Sequence, residues 1–267
     1  MKTVLTIAGS DCSGGAGIQA DLKTIGAFRL YGMSVLTAVT VQNTLGVRRV
    51  LPVDGSVVEE QLCAVFEDIV PDAVKIGMVV NSENIRAVAS VLREYKPVVV
   101  LDPVMVSTSG KKLLNDEAED LLCGELFPLT RLITPNLPEA EELCGTMIKT
   151  DSEREQAARQ LADRYGCSVL IKGGHSNSPS ELSETGTSDD LLYDCRKGSL
   201  SWFRNEKLSN TNTHGTGCTL SSAVACGLAA GQGLEKSVRE AKEYVTGAIR
   251  NGMDLGHGNG PLNHFYR

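Results

Sequence analysis

The sequence predicts an α/β fold: a mostly parallel central sheet held between two layers of helices. Three observations point there. Short apolar runs alternate with segments of helical spacing over most of the length, which is the signature of strand–helix–strand units. The run Pro97-Val98-Val99-Val100-Leu101 is apolar without alternation, as expected of a parallel strand covered on both faces. Glycines or polar residues follow the strands, at the edge where such sheets collect ligands. The 267 residues suit one large domain, 1–267, with no linker composition to divide them.

The elements follow in order. Val4 to Ala8 reads as a buried strand, followed by a glycine-rich loop from Gly9 to Gly17. From Ile18 the spacing is helical, with Ile18, Leu22 and Ile25 on one face. A strand from Ser34 to Val41 ends at Gln42-Asn43-Thr44. Val58, Leu62, Val65, Phe66 and Ile69 mark a helix, and Ala73 to Ile76 a strand. Another helix carries Ile85, Val88 and Leu92 and leads to the 97–101 strand, which stops at Asp102-Pro103. The alternation continues with a helix near Glu117–Phe127, a strand Arg131 to Thr134, a helix near Ser152–Tyr165 and a strand Ser168 to Ile171. Ser176 to Ser188 is polar and turn-rich and predicts a surface loop. Leu191-Leu192-Tyr193 and Leu200-Ser201-Trp202-Phe203 flank Arg196-Lys197-Gly198 as a hairpin. Two helices close the chain, the second with Val238, Ala241, Val245 and Ala248.

Composition removes several classes of function. A formal net charge of −7 argues against general nucleic-acid binding, which needs a basic excess, yet leaves room for a small phosphorylated ligand. The eight cysteines include no C-x-x-C pair, and the four histidines do not group with them as zinc ligands would. The N-terminal apolar run is shorter than a signal peptide's, and nothing downstream is long enough to span a bilayer. Reduced thiols and a cytoplasmic location are the expectation, with no membrane partner.

The chemistry is expected at the strand ends: Asp11, Gln42-Asn43, Gly77-Met78, Asp102, Asn136 with Glu139, and Lys172. The stretch from Asn212 to Leu220 adds a tight glycine turn opening a helix. Uncovered N–H groups and the helix dipole make such a turn a cradle for phosphate or a developing anion. Cys218 falls in that field, so its thiol pKa is expected to drop. Each residue also has a plain reading. Pro135-Asn136-Leu137-Pro138-Glu139 is equally an ordinary helix start, with Asn136 as cap and Glu139 as capping-box carboxylate. Asp21 is equally a solvated residue complementing a helix dipole. The loop Gly14-Gly15-Ala16-Gly17 is neither a P-loop nor G-x-G-x-x-G, and reads as a loop closing over substrate.

Several motifs together resemble one family. They are Ala8-Gly9-Ser10-Asp11, Ser13 to Lys23, Val41-Gln42-Asn43-Thr44, Lys75-Ile76-Gly77-Met78, Leu101 to Met105, Ile133 to Ala140, Lys172-Gly173-Gly174-His175 and Asn212 to Leu220. From Val4 to about Ala248 the chain resembles, in the right order, the bacterial hydroxymethylpyrimidine/phosphomethylpyrimidine kinases of thiamine biosynthesis. The resemblance implies a ribokinase-like fold and ATP- and Mg²⁺-dependent phosphorylation of 4-amino-5-hydroxymethyl-2-methylpyrimidine, then of its monophosphate. It assigns Gly215, Thr216 and Gly217 to an anion hole, and Cys218 to the base where many relatives carry aspartate. It assigns Gln42, Asp21, Gly9 and Met78 to the pyrimidine pocket, and Lys172, Asp102 and Asn136 to ATP. Glu139 and Asp102 would serve Mg²⁺. A homodimer is the expected assembly.

Phosphoryl transfer asks for positioning, positive field at the transferred group and a base near the hydroxyl, and the residues above supply each. Two other readings compete. A pyridoxal kinase of the same fold shares the cysteine-type anion hole, but Gln42 favours an aminopyrimidine, whose edge pairs with a primary amide. A catalytically silent binding protein would have no use for Asp102, Glu139, Lys172 and the 215–218 turn together.

Overall fold

The computed structural model describes residues 1–105, 116–173, 188–205, 208, 210 and 212–267. Gly174, His175 and residues 176–187 of the expected polar loop lie outside these. Among the described residues nine strands form a single sheet: β1 (Thr3–Asp11), β2 (Tyr31–Asn43), β3 (Gly46–Pro52), β4 (Ala73–Ile76), β5 (Val99–Leu101), β6 (Leu132–Ile133), β7 (Ser168–Ile171), β8 (Asp190–Asp194) and β9 (Ser199–Phe203). Their order is β3-β2-β1-β4-β5-β6-β7-β8-β9, parallel from β2 through β7 and antiparallel at both margins.

The described residues also form eight α-helices that cover it: α1 (Gly17–Ala27), α2 (Gly55–Asp68), α3 (Ser82–Tyr95), α4 (Asp116–Leu121), α5 (Leu137–Cys144), α6 (Asp151–Tyr165), α7 (Thr216–Ala229) and α8 (Leu234–Arg250). A π-helical turn, Leu122–Leu126, continues α4 to complete the helix expected over 117–127. The strands alternate between two cores, as a pleated sheet buried on both faces must. Leu5, Ile7, Val74, Ile76, Val99 and Leu101 point to the side of α2, α3 and α6. Val4, Ala73, Val100, Leu132 and Leu170 point to the side of α7 and α8, where Ile25 of α1 joins them. Each such side chain contributes about 1.5–3 kcal/mol by leaving water.

Two expectations are corrected. The ribbon strand β3 was not foreseen, because Arg48 and Arg49 are exposed and its apolar residues barely reach the core. In α1 the buried face is Ala20, Asp21, Thr24 and Ile25, while Ile18 and Leu22 remain partly exposed. Apolar periodicity missed this face because it carries two polar residues satisfied inside the protein.

The topology places the site. β1 has β2 on one side and β4 on the other, and the chain leaves β1 and β4 toward opposite faces of the sheet. The crevice outside the carboxyl ends of such a pair is where α/β sheets bind ligands.

Candidate active site

A cleft of about 510 Å³ opens at that edge. Its walls come from the ends of β1, β2, β4, β5, β6 and β7, the turn into α7, and Asn259 near the C-terminus. The volume suits a small organic ligand.

The two glycine turns are pressed together at its centre. Gly215 has φ +87°, and a Cβ there would lie 1.9 Å from the Gly15 carbonyl oxygen, so only glycine allows this approach. Thr216 and Gly217 open α7, with Thr216 N–H and Oγ1 both donating to the Thr213 carbonyl. The N–H groups that follow in this first turn have no acceptor within their own helix. Gly217 presents its bare Cα to the next group: a Cβ would stand 3.0 Å from Asp102 Oδ2 and 3.3 Å from Lys172 Nζ. Gly9 yields space to Met78 in the same way, its missing side chain filled by the Met78 methyl.

Asp102, Lys172 and Glu139 form a charged wall. Lys172 Nζ donates to Asp102 Oδ1 at 2.5 Å, and Thr134 Oγ1 donates to the same oxygen at 2.9 Å. Burial disfavours the Asp102 carboxylate, but Lys172 and Lys75 outweigh it and hold the group below its ordinary range. Burial likewise disfavours the Lys172 ammonium, and Asp102 and Glu139 outweigh it in turn. Glu139 goes the other way: burial lifts it from 4.5 to about 7, with Asp102 adding to the rise and Lys172 opposing it. Glu139 also closes a capping box, accepting from Asn136 N–H at 2.8 Å while Asn136 Oδ1 accepts from Glu139 N–H at 2.9 Å. The ordinary helix-start reading of this motif is therefore realised, and it aims Glu139 at the cleft.

Cys218 is half-buried, and the nearby Gly17 backbone favours its thiolate. Its thiol pKa is raised, contrary to the drop expected of a helix start. Burial is the main cause; Asp21 and Asp102 add to it, and the Lys75 ammonium only partly offsets them. Behind Cys218 lies a second charged pair. Lys75 Nζ contacts both Asp21 oxygens at 2.8 and 2.9 Å, and both side chains are fully buried. Thr6 Oγ1 and Ser222 Oγ donate to Asp21 at 2.6 and 2.7 Å. Asp21 thus stands outside the cleft wall, its side chain fully buried and engaged by Lys75, Thr6 and Ser222.

A third network ties the Gly-rich loop to the turn before α7. Asp11 accepts from Ser13 N–H and Oγ, from Gly15 and Ala16 N–H, and from His214 Nε2 at 2.9 Å. Burial opposes its charge, but these donors, His214 first, hold Asp11 well below the carboxylate range. Gln42, at the end of β2, has its amide 3.2 Å from the same His214 nitrogen and 3.3 Å from Thr40 Oγ1.

Comparison with known proteins gives this geometry a family. Residues 11–263 match the family model described as phosphomethylpyrimidine kinase. A hydroxymethylpyrimidine/phosphomethylpyrimidine kinase of Haemophilus influenzae is 45% identical over 99% of this chain and 97% of its own length. This chain belongs to the phosphomethylpyrimidine kinase family. The thiamine biosynthesis bifunctional protein ThiED of Geobacter sulfurreducens is 47% identical over 98% of this chain, which spans about half (52%) of that longer protein. Among solved structures, a pyridoxal kinase from Staphylococcus aureus in complex with AMP-PCP and pyridoxal superposes with a TM-score of 0.86 at 33% identity. It covers all of this chain and 94% of its own, and the shared architecture is ribokinase-like.

Within this kinase family member, the cleft gathers Gly9, Gln42, Met78, Asp102, Asn136, Glu139, Lys172 and Gly215 to Cys218, all foreseen from the sequence. Asp21 is the exception. Three contributors were not assigned a role. Lys75 stood in the Lys75-Ile76-Gly77-Met78 motif with no role of its own, a lysine inside an apolar strand. His214 sat unremarked within the glycine turn. The C-terminal segment had only its glycines as a signal: His257 and Gly258 N–H groups donate to Thr44 Oγ1, Gly260 O accepts from His214 N–H, and Asn259 reaches the cleft.

The residues present fit Mg²⁺ of a particular kind. Among the described residues no cluster of three or more His, Cys, Asp or Glu could hold a metal alone. Two buried carboxylates, Asp102 and Glu139, face one cleft, and Mg²⁺ commonly binds through one or two carboxylates plus phosphates and waters.

Proposed function

We propose that this chain, acting as a single catalytic domain, uses ATP to phosphorylate 4-amino-5-hydroxymethyl-2-methylpyrimidine and then its monophosphate, yielding the diphosphate for thiamine biosynthesis. The observation that carries this reading is the placement of Gln42 and the 215–218 turn in one cleft with Asp102, Glu139 and Lys172. Gln42, Gly9 and Met78 hold the ring. Gly215, Thr216 and Gly217 form the anion hole for the transferred phosphoryl group, with the Thr216 N–H turned to the Thr213 carbonyl, and Lys172 supplies positive field at the phosphates. Asp102 and Glu139 would hold Mg²⁺ and its waters, with Asn136 orienting Glu139, and the ion when bound would supply charge neutralisation at the phosphates.

Cys218 takes the proton as the substrate oxygen attacks. Burial favours the thiol at rest, so the base is the thiolate, formed once that thiol has given its own proton to solvent, and the Lys75 ammonium lowers the cost of forming it. Asp21 supports this role from behind by fixing Lys75.

The test is mass analysis of products after incubation with ATP, Mg²⁺ and either the pyrimidine alcohol or pyridoxal. Mono- and diphosphate from the pyrimidine are expected. Phosphorylation of pyridoxal alone would overturn the reading in favour of the related kinase. We also propose a homodimer, supported by Val39, Val41 and Leu51, which lie exposed along the β2–β3 ribbon; light scattering that gives the mass of one chain would refute it. A cytoplasmic setting is consistent with free cysteines and with the finding that no helix among the described residues is long and apolar enough to cross a membrane. Recovery of the native protein outside the cytoplasm in cell fractionation would refute that setting.

A further inference from the structure

We propose that His214 and Asp11 act as a positioning pair that fixes the orientation of the Gln42 amide, and thereby the direction in which the pyrimidine ring enters the cleft. The inference rests on the proposed pyrimidine-binding role of Gln42.

Asp11 accepts hydrogen bonds from five protein donors, with Oδ2 shared by Gly15 N–H, Ala16 N–H and His214 Nε2. A carboxylate so engaged carries no proton, so the hydrogen between it and His214 belongs to Nε2 of the ring. Nε2 is then a donor whether the ring is neutral or charged, and has no lone pair in the ring plane. Yet the Gln42 nitrogen stands 3.2 Å from it. Two donors do not satisfy each other.

The opposite flank carries the same message. Thr40 Oγ1 has one hydrogen, and it goes to the Ser10 carbonyl at 2.7 Å. Toward Gln42, 3.3 Å away, Thr40 therefore offers a lone pair and needs a donor. Turning the amide by half a revolution exchanges its oxygen and nitrogen and satisfies both neighbours. Oε1 then shares the His214 N–H, and the amide NH₂ donates to Thr40. Which amide atom is which follows from the hydrogen-bond network.

The consequence is directional. A glutamine turned this way retains one N–H and one lone pair for the cleft, in a fixed order. An aminopyrimidine answers with its ring nitrogen and exocyclic amine in the complementary order. The hydroxymethyl group is next to the amine, so reversing the order would carry it to the other side of the paired edge, away from its place beside Cys218. His214, buried against Gly15 and held by Asp11, is what keeps the order from reversing.

The experiment measures KM for the pyrimidine alcohol, KM for ATP and kcat in His214→Leu, His214→Gln, Gln42→Met and the double variant His214→Leu/Gln42→Met. His214→Leu should raise the pyrimidine KM about 10- to 100-fold while the ATP KM stays within about 2-fold. His214→Gln, which restores an N–H at similar reach, should recover most of that loss. In the Gln42→Met background, His214→Leu should add nothing, since it acts through Gln42. Equal penalties in both backgrounds, or equal effects on both substrates, would overturn the inference and leave the Gln42 reading intact. An unchanged pyrimidine KM in Gln42→Met would overturn the Gln42 reading and this inference with it. Because His214→Leu could disturb the loop, ¹⁵N NMR of the wild-type histidines gives an independent measure. A protonated Nε2 on His214 at pH 8 is expected, and a bare Nε2 overturns the inference.

Discussion

Lys75–Asp21 and Lys172–Asp102 are the same chemical pair, both in electrostatic reach of Cys218, placed in opposite circumstances. The first is sealed: neither side chain is exposed, and Thr6 and Ser222 take up further acceptor sites on Asp21. The second lines the cleft, with side-chain exposures of 11% and 5%, and shares its field with Glu139. A sealed pair cannot exchange partners, so it serves as a fixed charge distribution behind Cys218. An open pair can release its lysine to an arriving phosphate and its carboxylate to an arriving cation. Both pairs are buried, and what separates them is that the second lines the cleft and the first does not.

The comparison can be broken most forcefully at the sealed pair. Asp21→Asn leaves the Lys75 ammonium buried without its counter-charge and should destabilise the fold by about 3–5 kcal/mol. Replacing both partners by Leu and Met should recover much of that loss, since apolar substitutes carry no desolvation cost. Urea denaturation measures both, and an Asp21→Asn midpoint equal to wild type would show that the pair is not the strut described.

Next in size is Cys218, which sits between the pairs. Cys218→Ala should lower turnover about 10²- to 10⁴-fold, with ATP still binding. Near-normal rates would mean that the turn's N–H groups suffice without a side-chain base.

At the open pair, Lys172→Met should reduce kcat about 10²- to 10³-fold through lost charge stabilisation in the transition state. The melting temperature should fall far less than in Asp21→Asn, because Asp102 keeps Thr134 and access to water and cations. Thermal scans of the two variants side by side decide this, and equal losses of stability would abolish the distinction.

The smallest effect is a pH dependence at Glu139. Its pKa is raised from 4.5 to about 7 by burial, so between those values the folded protein holds a proton that the unfolded chain has lost. Stability from this group is therefore fully present below about pH 4.5 and is lost as pH rises through about 7. In EDTA, the melting temperature of the wild type relative to Glu139→Gln should decline across that window. Adding Mg²⁺ with ATP should reduce the decline, as the carboxylate finds a cation. A flat difference between the two proteins would place Glu139 outside this linkage.

Much of this molecule was legible one element at a time. Ala73–Ile76 and Ser168–Ile171 match their observed strands residue for residue, because short apolar runs between turn residues have few alternatives. The capping box of Asn136 and Glu139 could be read from a spacing of three, since both its bonds lie within one helical turn. Strand ends followed by polar residues located the cleft before any geometry was available. β3 escaped because its pairing is supplied by β2 and its own side chains, Arg48 and Arg49 among them, carry no burial pattern.

By itself, then, the sequence determined the layered fold, the edge where ligands gather and most of the residues lining it, because those depend on patterns a few residues long. Only the tertiary structure decided what each polar group is worth there. Asp21 is sealed against Lys75, 54 residues away. His214 answers to Asp11 across 203 positions and through it bears on Gln42. The Cys218 thiol lies above its ordinary range although it sits at a helix start, because burial and two carboxylates from other elements outweigh the local field. Charge in a buried site is set by every group brought within a few ångströms, and the sequence lists those groups without saying which of them will meet.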